Sequence, residues 1–396
     1  MSKTIIIIGA GLAGLSAALQ AAENGCNVKL VSSLPSERAQ SVMAEGGINA
    51  ALNTKDENDS PEEHFTDTIK AACGLADPNA VWGMTQAAPE LVHWLLKLGV
   101  KFNMSGYDDV DLRNFGGQKK KRTAFAQSDT GKQIMTAMID AVRRKEASGM
   151  VERFSHHSFL TLRLCGNICC GCVIRDEYSQ ETVELPGDAV IVATGGMHGL
   201  FGNTTGSLSN TGEVTAELFR LGVPLANGEM IQYHPTTVKC GGKRMLISEA
   251  ARGEGGRLFA MKDGKQWYFM EEKYPELGNL MPRDITAREI WKVSHESEVF
   301  LDMTEISEEI ISNKLSGLAD DCMTYLHKDI RKEPVSVLPG IHYFMGGILV
   351  DEQHRTPIQN LCAAGECCAQ YHGANRLGGN SLLGALYLSL IHISEP

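Results

Sequence analysis

Three glycines near the start of the chain carry the first chemistry. Gly9, Gly11 and Gly14 stand in the run Gly9-Ala10-Gly11-Leu12-Ala13-Gly14, directly after Ile5-Ile6-Ile7-Ile8 and before a helix-forming stretch from Leu15 to Glu23. Strand, glycine turn and helix in that order suit a dinucleotide. The first glycine allows the turn, the second lets backbone N–H groups approach a pyrophosphate, and the third lets helix and strand pack. The helix N-terminus adds partial positive charge. Two later segments end in small residues in the same way: Ala193-Thr194-Gly195-Gly196 after Asp188–Val192, and Ala364-Gly365-Glu366 after Leu361. Bulk at the C-terminal end of a parallel strand would block a ligand there.

The elements that must position these groups read as an α/β protein. Val28–Val31 is the next strand, and it ends in Ser32-Ser33 where a carboxylate would hold a ribose hydroxyl. Serine bonds more weakly, so the glycine motif alone does not choose between FAD and NAD. Several separated segments returning to one ligand favour the longer flavin. Residues 61–100 alternate helical periodicity with turn signals at Asp77-Pro78 and Ala88-Pro89. Tyr107–Lys121 is polar and irregular, Thr130–Lys145 is an amphipathic helix, and Phe154–Leu185 is a meander of short strands. Residues 229–338 are richer in charge and aromatics and lack a glycine fingerprint. They read as a second, α+β domain inserted into the first. Short strands with glycine punctuation resume at Gly346–Asp351 and Leu361–Glu366.

Composition excludes several classes. The 396 residues carry a net charge of -11, which argues against nucleic acid or an anionic membrane as main partner. Ile5–Ala22 is uncharged and long enough to span a bilayer, but glycines interrupt it and no cleavage site follows. A cytoplasmic protein is expected, able to dock onto a membrane-bound partner. The 11 cysteines are read as reduced thiols. Cys165, Cys169, Cys170 and Cys172 fit no metal-ligand spacing and read as small apolar strand residues, so no metal is expected. Lys119-Lys120-Lys121-Arg122 reads as a solvated face, with an anion site as the alternative.

Six motifs in order carry a resemblance: Ala44-Glu45-Gly46-Gly47, Gln232-Tyr233-His234-Pro235, Glu249-Ala250-Ala251-Arg252-Gly253-Glu254-Gly255-Gly256, Pro282-Arg283-Asp284, His342-Tyr343-Phe344-Met345-Gly346-Gly347, and the segment His372–Leu382 with Asn375-Arg376-Leu377-Gly378-Gly379-Asn380-Ser381 inside it. Over about residues 3 to 387 the chain resembles the flavoprotein subunit of succinate dehydrogenase and fumarate reductase, a family that includes L-aspartate oxidase. The resemblance implies a Rossmann-like FAD-binding domain (1–228 and 339–396) with an inserted capping domain (229–338). Expected on the cofactor are Gly9, Ala10, Gly11, Ala13, Gly14, Ser32, Ser41, Ala44, Gly46, Gly47, Ala193, Thr194, Gly195, Glu213, Glu366, Arg376, Ser381 and Leu382.

For a four-carbon dicarboxylate the resemblance implies a clamp of Arg376, His342, His234 and Ser248, with Gln232 and Phe115 also at the substrate. Arginine grips a carboxylate with two N–H groups, and histidine donates while remaining switchable. Reduction of a C=C bond needs a hydride from flavin N5 and a proton. The family assigns the proton to an arginine, matched here by Arg283, with Glu249 as its relay and Arg252 beside it. No iron–sulfur, haem or second flavin motif is visible, so electrons are expected from a separate protein or a small reductant.

Three departures bear on function. Gln40 stands where respiratory members attach FAD to a histidine, so FAD is expected to be non-covalent, which favours fumarate reduction. Phe115, in Asn114-Phe115-Gly116-Gly117, stands where L-aspartate oxidase carries a glutamate for the substrate ammonium, which disfavours aspartate. The tail Leu388–Pro396 matches nothing expected of the family and reads as a truncated frame with foreign residues. L-aspartate oxidase remains the first alternative. A flavin-binding electron-relay subunit without its own turnover is the second.

Overall fold

The computed structural model describes residues 2–391, with side chains to residue 387; the tail beyond lies outside the described residues. A five-stranded parallel sheet forms the base. Its strands are β1 (Thr4–Ile8), β2 (Asn27–Ser32), β3 (Val151–Ser155), β4 (Ala189–Val192) and β5 (Leu361–Ala363), in the order β5-β4-β1-β2-β3. Ile7 pairs with Leu30 on one side and Ile191 on the other. Ile5–Ile8 of β1 are all apolar because both faces of the strand are covered. Ile5 and Ile7 pack into the core beneath helix α1 (Leu12–Glu23), and Ile6 and Ile8 into the core shared with the antiparallel meander of residues 157–186. Cys169 and Cys172 lie in that second core.

A third core is drawn from residues 247 to 337 together with Phe115. It lies among the strands Arg257–Lys262, Lys265–Trp267, Val299–Asp302 and Val335–Ser336 and helices that include α3 (Arg283–Val293). The two regions are joined by antiparallel pairing of Ile231–Cys240 with Leu338–Phe344. α2 (Glu249–Gly253) is a single short turn, and α4 (Asn380–Ile391) packs against α1.

Four details of the sequence reading change. Pro89 sits inside the helix Pro78–Lys97 rather than at a turn; burial of Ala88, Leu91, Val92 and Leu95 outweighs the lost backbone bond. Phe154 belongs to β3 of the parallel sheet, and the meander begins at His157. Only Gly347–Ile348 of the segment 346–351 is strand. Arg122 is not part of a solvated face. It is fully buried, with Nη2 2.8 Å from Asp59 Oδ1 and Nη1 3.0 Å from Asp67 Oδ2, because two buried carboxylates compensate its charge.

Candidate active site

The strand ends of β1, β2 and β4 open into a cavity of about 620 Å³. Gly9 lies against β4: a Cβ there would come 2.3 Å from the Ala193 carbonyl oxygen. Gly14 is packed on Gly9, where a Cβ would meet the Gly9 carbonyl at 1.8 Å. It does not line the cavity, and its role is the helix–strand contact. At Gly11 a Cβ would find nothing nearer than Ser41 Oγ at 3.7 Å, so the space before α1 is open. α1 has no side-chain cap and no acidic residue in its first turn. Leu12 N donates to Ser41 Oγ at 3.3 Å; the following N–H groups and the helix dipole point an anion-binding end at the cavity. Ser32 Oγ, at the end of β2, is buried without a hydrogen-bond partner among the described residues, as a group awaiting a ribose hydroxyl would be. These features fit a dinucleotide. Ala10, Ala13, Ser41, Ala44, Gly46, Gly47, Thr194, Gly195, Glu213, Ser381 and Leu382 also line the cavity. Glu366 does too; its Oε1 accepts from Phe344 N at 3.0 Å and lies 3.0 Å from His198 Nε2.

The far end of the same cavity is cationic. Arg283, at the start of α3, places Nη2 2.7 Å and Nε 2.8 Å from Glu249 Oε2. Glu249 starts α2, one residue after Ser248, whose Oγ caps that turn. Its other oxygen, Oε1, accepts from Gly116 N at 2.9 Å and lies 3.6 Å from Arg252 Nη2. Gln232 Oε1 accepts from Arg283 Nη1 at 3.1 Å and from Arg376 Nη2 at 2.9 Å. One amide oxygen therefore sets the spacing of two guanidinium groups. Arg376 also lies over the Tyr343 ring, 4.2 Å from its centroid. His234 and His342 pack edge to face with centroids 5.0 Å apart, and His342 Nδ1 is 2.8 Å from Thr205 Oγ1.

The structure thus brings Arg283, Arg376, His234, His342, Ser248, Glu249 and Phe115 to one end of the cofactor cavity. Arg252 and Gln232 stand behind this wall and touch the cavity only through the groups they hold.

Electrostatics follow from burial. Burial works against ionisation of Glu249, but Arg283 and Arg252 outweigh it and hold the carboxyl below its usual range. Burial, helped by Arg283, lowers Arg376 to about 9. Burial first pushes His234 and His342 well below the ordinary imidazole range, followed by Arg283 and Arg252 at His234 and by His234 and Arg283 at His342. Both are therefore neutral N–H donors near pH 7, and the switchable behaviour expected from the sequence is moved to acid. Three guanidinium groups against the Glu249 carboxylate leave a cationic surplus. Arg376 Nε and Arg252 Nε and Nη2 are buried without hydrogen-bond partners among the described residues. Arg376 lines the cavity, and its unpartnered donor suits an anionic ligand.

Several residues of the site gave no chemical signal in the sequence. Thr205, Asn49 and Gln118 are ordinary polar residues outside any catalytic pattern, brought in by long-range contacts. Glu45 was visible only as part of a motif, and its Oε2 is enclosed without a partner among the described residues.

The sheet, the glycine turn and the cavity are those of a dinucleotide-binding protein, and the family and relatives make it an FAD-dependent oxidoreductase. A sequence profile described as an FAD binding domain matches residues 4–382. The succinate dehydrogenase flavoprotein subunit of Bacillus subtilis (strain 168) is 44% identical over 98% of this chain and 68% of its own length. The L-aspartate oxidase of Streptomyces coelicolor is 34% identical over 98% of this chain and 67% of its own. A solved E. coli quinol fumarate reductase chain superposes with a TM-score of 0.91 at 30% identity, over 98% of this chain and 68% of that one. The chain belongs to the succinate dehydrogenase and fumarate reductase flavoprotein family, which includes L-aspartate oxidase.

Proposed function

We propose that the protein interconverts fumarate and succinate and works mainly in the fumarate-reducing direction. The observation that carries this reading is the cationic end of the cavity. Arg283 and Arg376 are yoked by Gln232, two neutral imidazoles stand beside them, and the carboxylates of Glu249, paired with Arg283, and Glu366, acting on Arg376, offset only part of the charge of the three guanidinium groups. That surplus matches a dianion. FAD, when bound, supplies the hydride. The chain supplies the rest. Arg376, His234, His342 and Ser248 bind the two carboxylates and hold one carbon of the double bond toward the cofactor. Arg283 carries the proton at its guanidinium and gives it to the other carbon. Glu249, in contact with Arg283 and Arg252, returns a proton afterwards. Phe115 and the surrounding core keep water from this wall.

Gln40 lines the cavity and its Nε2 is 3.5 Å from the Thr205 carbonyl oxygen. A glutamine forms no flavin bond, so we take the FAD as non-covalent, and the lower flavin potential expected of it favours reduction. Residues 229–338 are proposed as the capping domain. Among the described residues no helix is long and apolar enough to cross a membrane. Relatives of this kind are named as flavoprotein subunits, so a separate protein or a small reductant is proposed as electron donor. Any contact with a membrane would come through such a partner.

The test is anaerobic: flavin reduced on the protein is mixed with fumarate, with aspartate-derived iminoaspartate and with other enoates. Rapid reoxidation by fumarate is expected. Peroxide formation from aspartate under oxygen, with no fumarate turnover, would replace this reading by L-aspartate oxidase. Absence of turnover with every substrate would leave an electron-relay subunit.

A further inference from the structure

The segment Arg376–Asn380 carries Arg376 at one end and touches the Glu249–Arg283 pair in its middle. A Cβ added to Gly378 would lie 3.1 Å from both Arg283 Nη2 and Glu249 Oε2. The backbone at Gly378 therefore packs on the ion pair and sets where it can sit.

Asn49 holds this backbone from the other side. It is fully buried and lies two residues past Gly47 of the cofactor wall. Its Nδ2 donates to the Gly378 carbonyl at 2.7 Å and to Asn380 Oδ1 at 2.7 Å. Its Oδ1 accepts from Thr123 Oγ1 at 2.6 Å and from Gln118 Nε2 at 3.0 Å. Its backbone N–H donates to the Gly379 carbonyl at 3.2 Å. Both donors and both acceptor positions of the amide are used. The orientation is fixed as well, because the Gly378 carbonyl can only accept. Gln118 Nε2 gives that carbonyl a second donor at 2.9 Å. There is no slack at the next residue: a Cβ on Gly379 would lie 2.1 Å from Asn49 Oδ1. Arg376 has a separate anchor, since its carbonyl accepts from Gln232 Nε2 at 2.8 Å.

We propose that Asn49 is a positioning residue for the redox step. It ties the glycine loop on the cofactor to the Gly378 backbone, and so fixes the distance from the cofactor to the Arg283–Glu249 pair. The proposal rests on the fumarate–succinate reading of the site. A shift of Gly378 should slow proton delivery by Arg283 more than it weakens substrate binding, which Arg376 holds through Gln232.

The experiment uses the holoprotein. Asn49→Asp keeps the shape but turns carboxylate oxygen toward the Gly378 carbonyl. Gln118→Ala removes one of the two donors to that carbonyl and leaves Asn49 in place. With flavin content and visible spectrum unchanged, kcat for fumarate should fall at least tenfold in Asn49→Asp, with KM altered less than threefold. Gln118→Ala should show a smaller fall in kcat at the same KM. Values within twofold of native in flavin-loaded Asn49→Asp overturn the proposal. So does loss of turnover in step with loss of flavin in both variants, which would make these residues parts of the cradle only. If Asn49→Asp does not fold, Gln118→Ala decides: a lower kcat at unchanged KM supports the proposal, and native kcat overturns it. A native enzyme that turns over neither fumarate nor succinate would instead remove the underlying reading, and the proposal with it.

Discussion

Glu249 Oε2 receives both Nε and Nη2 of Arg283, at 2.8 and 2.7 Å, while its Oε1 faces Arg252. The carboxylate is thus shared between two cations on two different oxygens. In the proposed mechanism it would pass a proton from one guanidinium to the other without leaving its place. Arg283 is the only one of the two that lines the cavity. Arg283→Lys keeps a charge near Glu249 but loses the fork and the bond to Gln232. We expect kcat for fumarate to fall by about 10²–10⁴, the usual worth of a positioned acid, with the flavin retained. Steady-state turnover of fumarate with a reduced dye measures this. A kcat within threefold of native would remove Arg283 from proton transfer.

Phe115 separates the dicarboxylate reading from the aspartate reading. It is buried, lines the cavity, and packs beside both Gly46 and Gly378, where added Cβ atoms would meet its ring at about 3 Å. An ammonium brought to this wall would find an aromatic edge and a nearby Glu249 carboxylate already taken by Arg283 and Arg252, an expensive place for an unpaired charge. Phe115→Glu should therefore lower kcat/KM for fumarate, because a new carboxylate repels a dianion, and should raise any measurable oxidation of aspartate. Parallel kinetics on the two substrates test this. Unchanged preference in a flavin-loaded variant would show that selectivity lies elsewhere.

How much of this was legible depends on the range of the contacts. The glycine turn, β1 and α1 are local, so spacing and apolar runs sufficed to place them, and Gly9, Gly11 and Ser32 line the cavity. The arginines and histidines were assigned through ordered motifs, and the cavity gathers residues as distant in sequence as His234 and Arg376. Periodicity could not do that. Asn49 and Gln118 stayed silent because a buried amide has no spacing signature; its partners lie about 70 to 330 residues away. Pro89 misled because a proline's local penalty is read more easily than the tertiary burial that offsets it. Arg122 misled because charge runs are read as surface, and its two carboxylates come from far upstream.

Those carboxylates make Arg122 a stability residue. Asp59 and Asp67 are both buried, and Arg122 bridges them with Nε, Nη1 and Nη2. Arg122→Gln would leave two buried acids facing each other without a cation. Breaking a buried pair costs about 3–5 kcal/mol, and we expect that loss in denaturant unfolding at neutral pH. Adding Asp59→Asn and Asp67→Asn to Arg122→Gln should recover much of it, since the cost comes from uncompensated charge. A loss under about 1 kcal/mol in the single variant would mean that water or another group already solvates the site.

Glu45 gives a pH dependence of definite sign. Burial, with Asp321 next, raises its carboxyl from 4.5 to about 8; Arg113 opposes this and Asp129 adds to it. The residue lies on the cavity wall with Oε2 enclosed and unpartnered among the described residues. Below about pH 4.5 the folded and unfolded chains both carry the proton, and Glu45 costs nothing. Between 4.5 and 8 the unfolded chain ionises while the folded one does not. The folded state then holds the extra proton, so stability falls as pH rises, by up to about 1.4 kcal/mol per unit. Above 8 both states are ionised and the loss levels off. Glu45→Gln keeps a neutral group of the same shape. The variant should be more stable than native at pH 8, by an amount on the order of a few kcal/mol, and the gap should close as pH drops toward 4.5. Unfolding of both proteins at a series of pH values measures it. Equal slopes for the two between pH 5 and 8 would show that Glu45 ionises normally, and that its place on the cofactor wall is wetter than its enclosure implies.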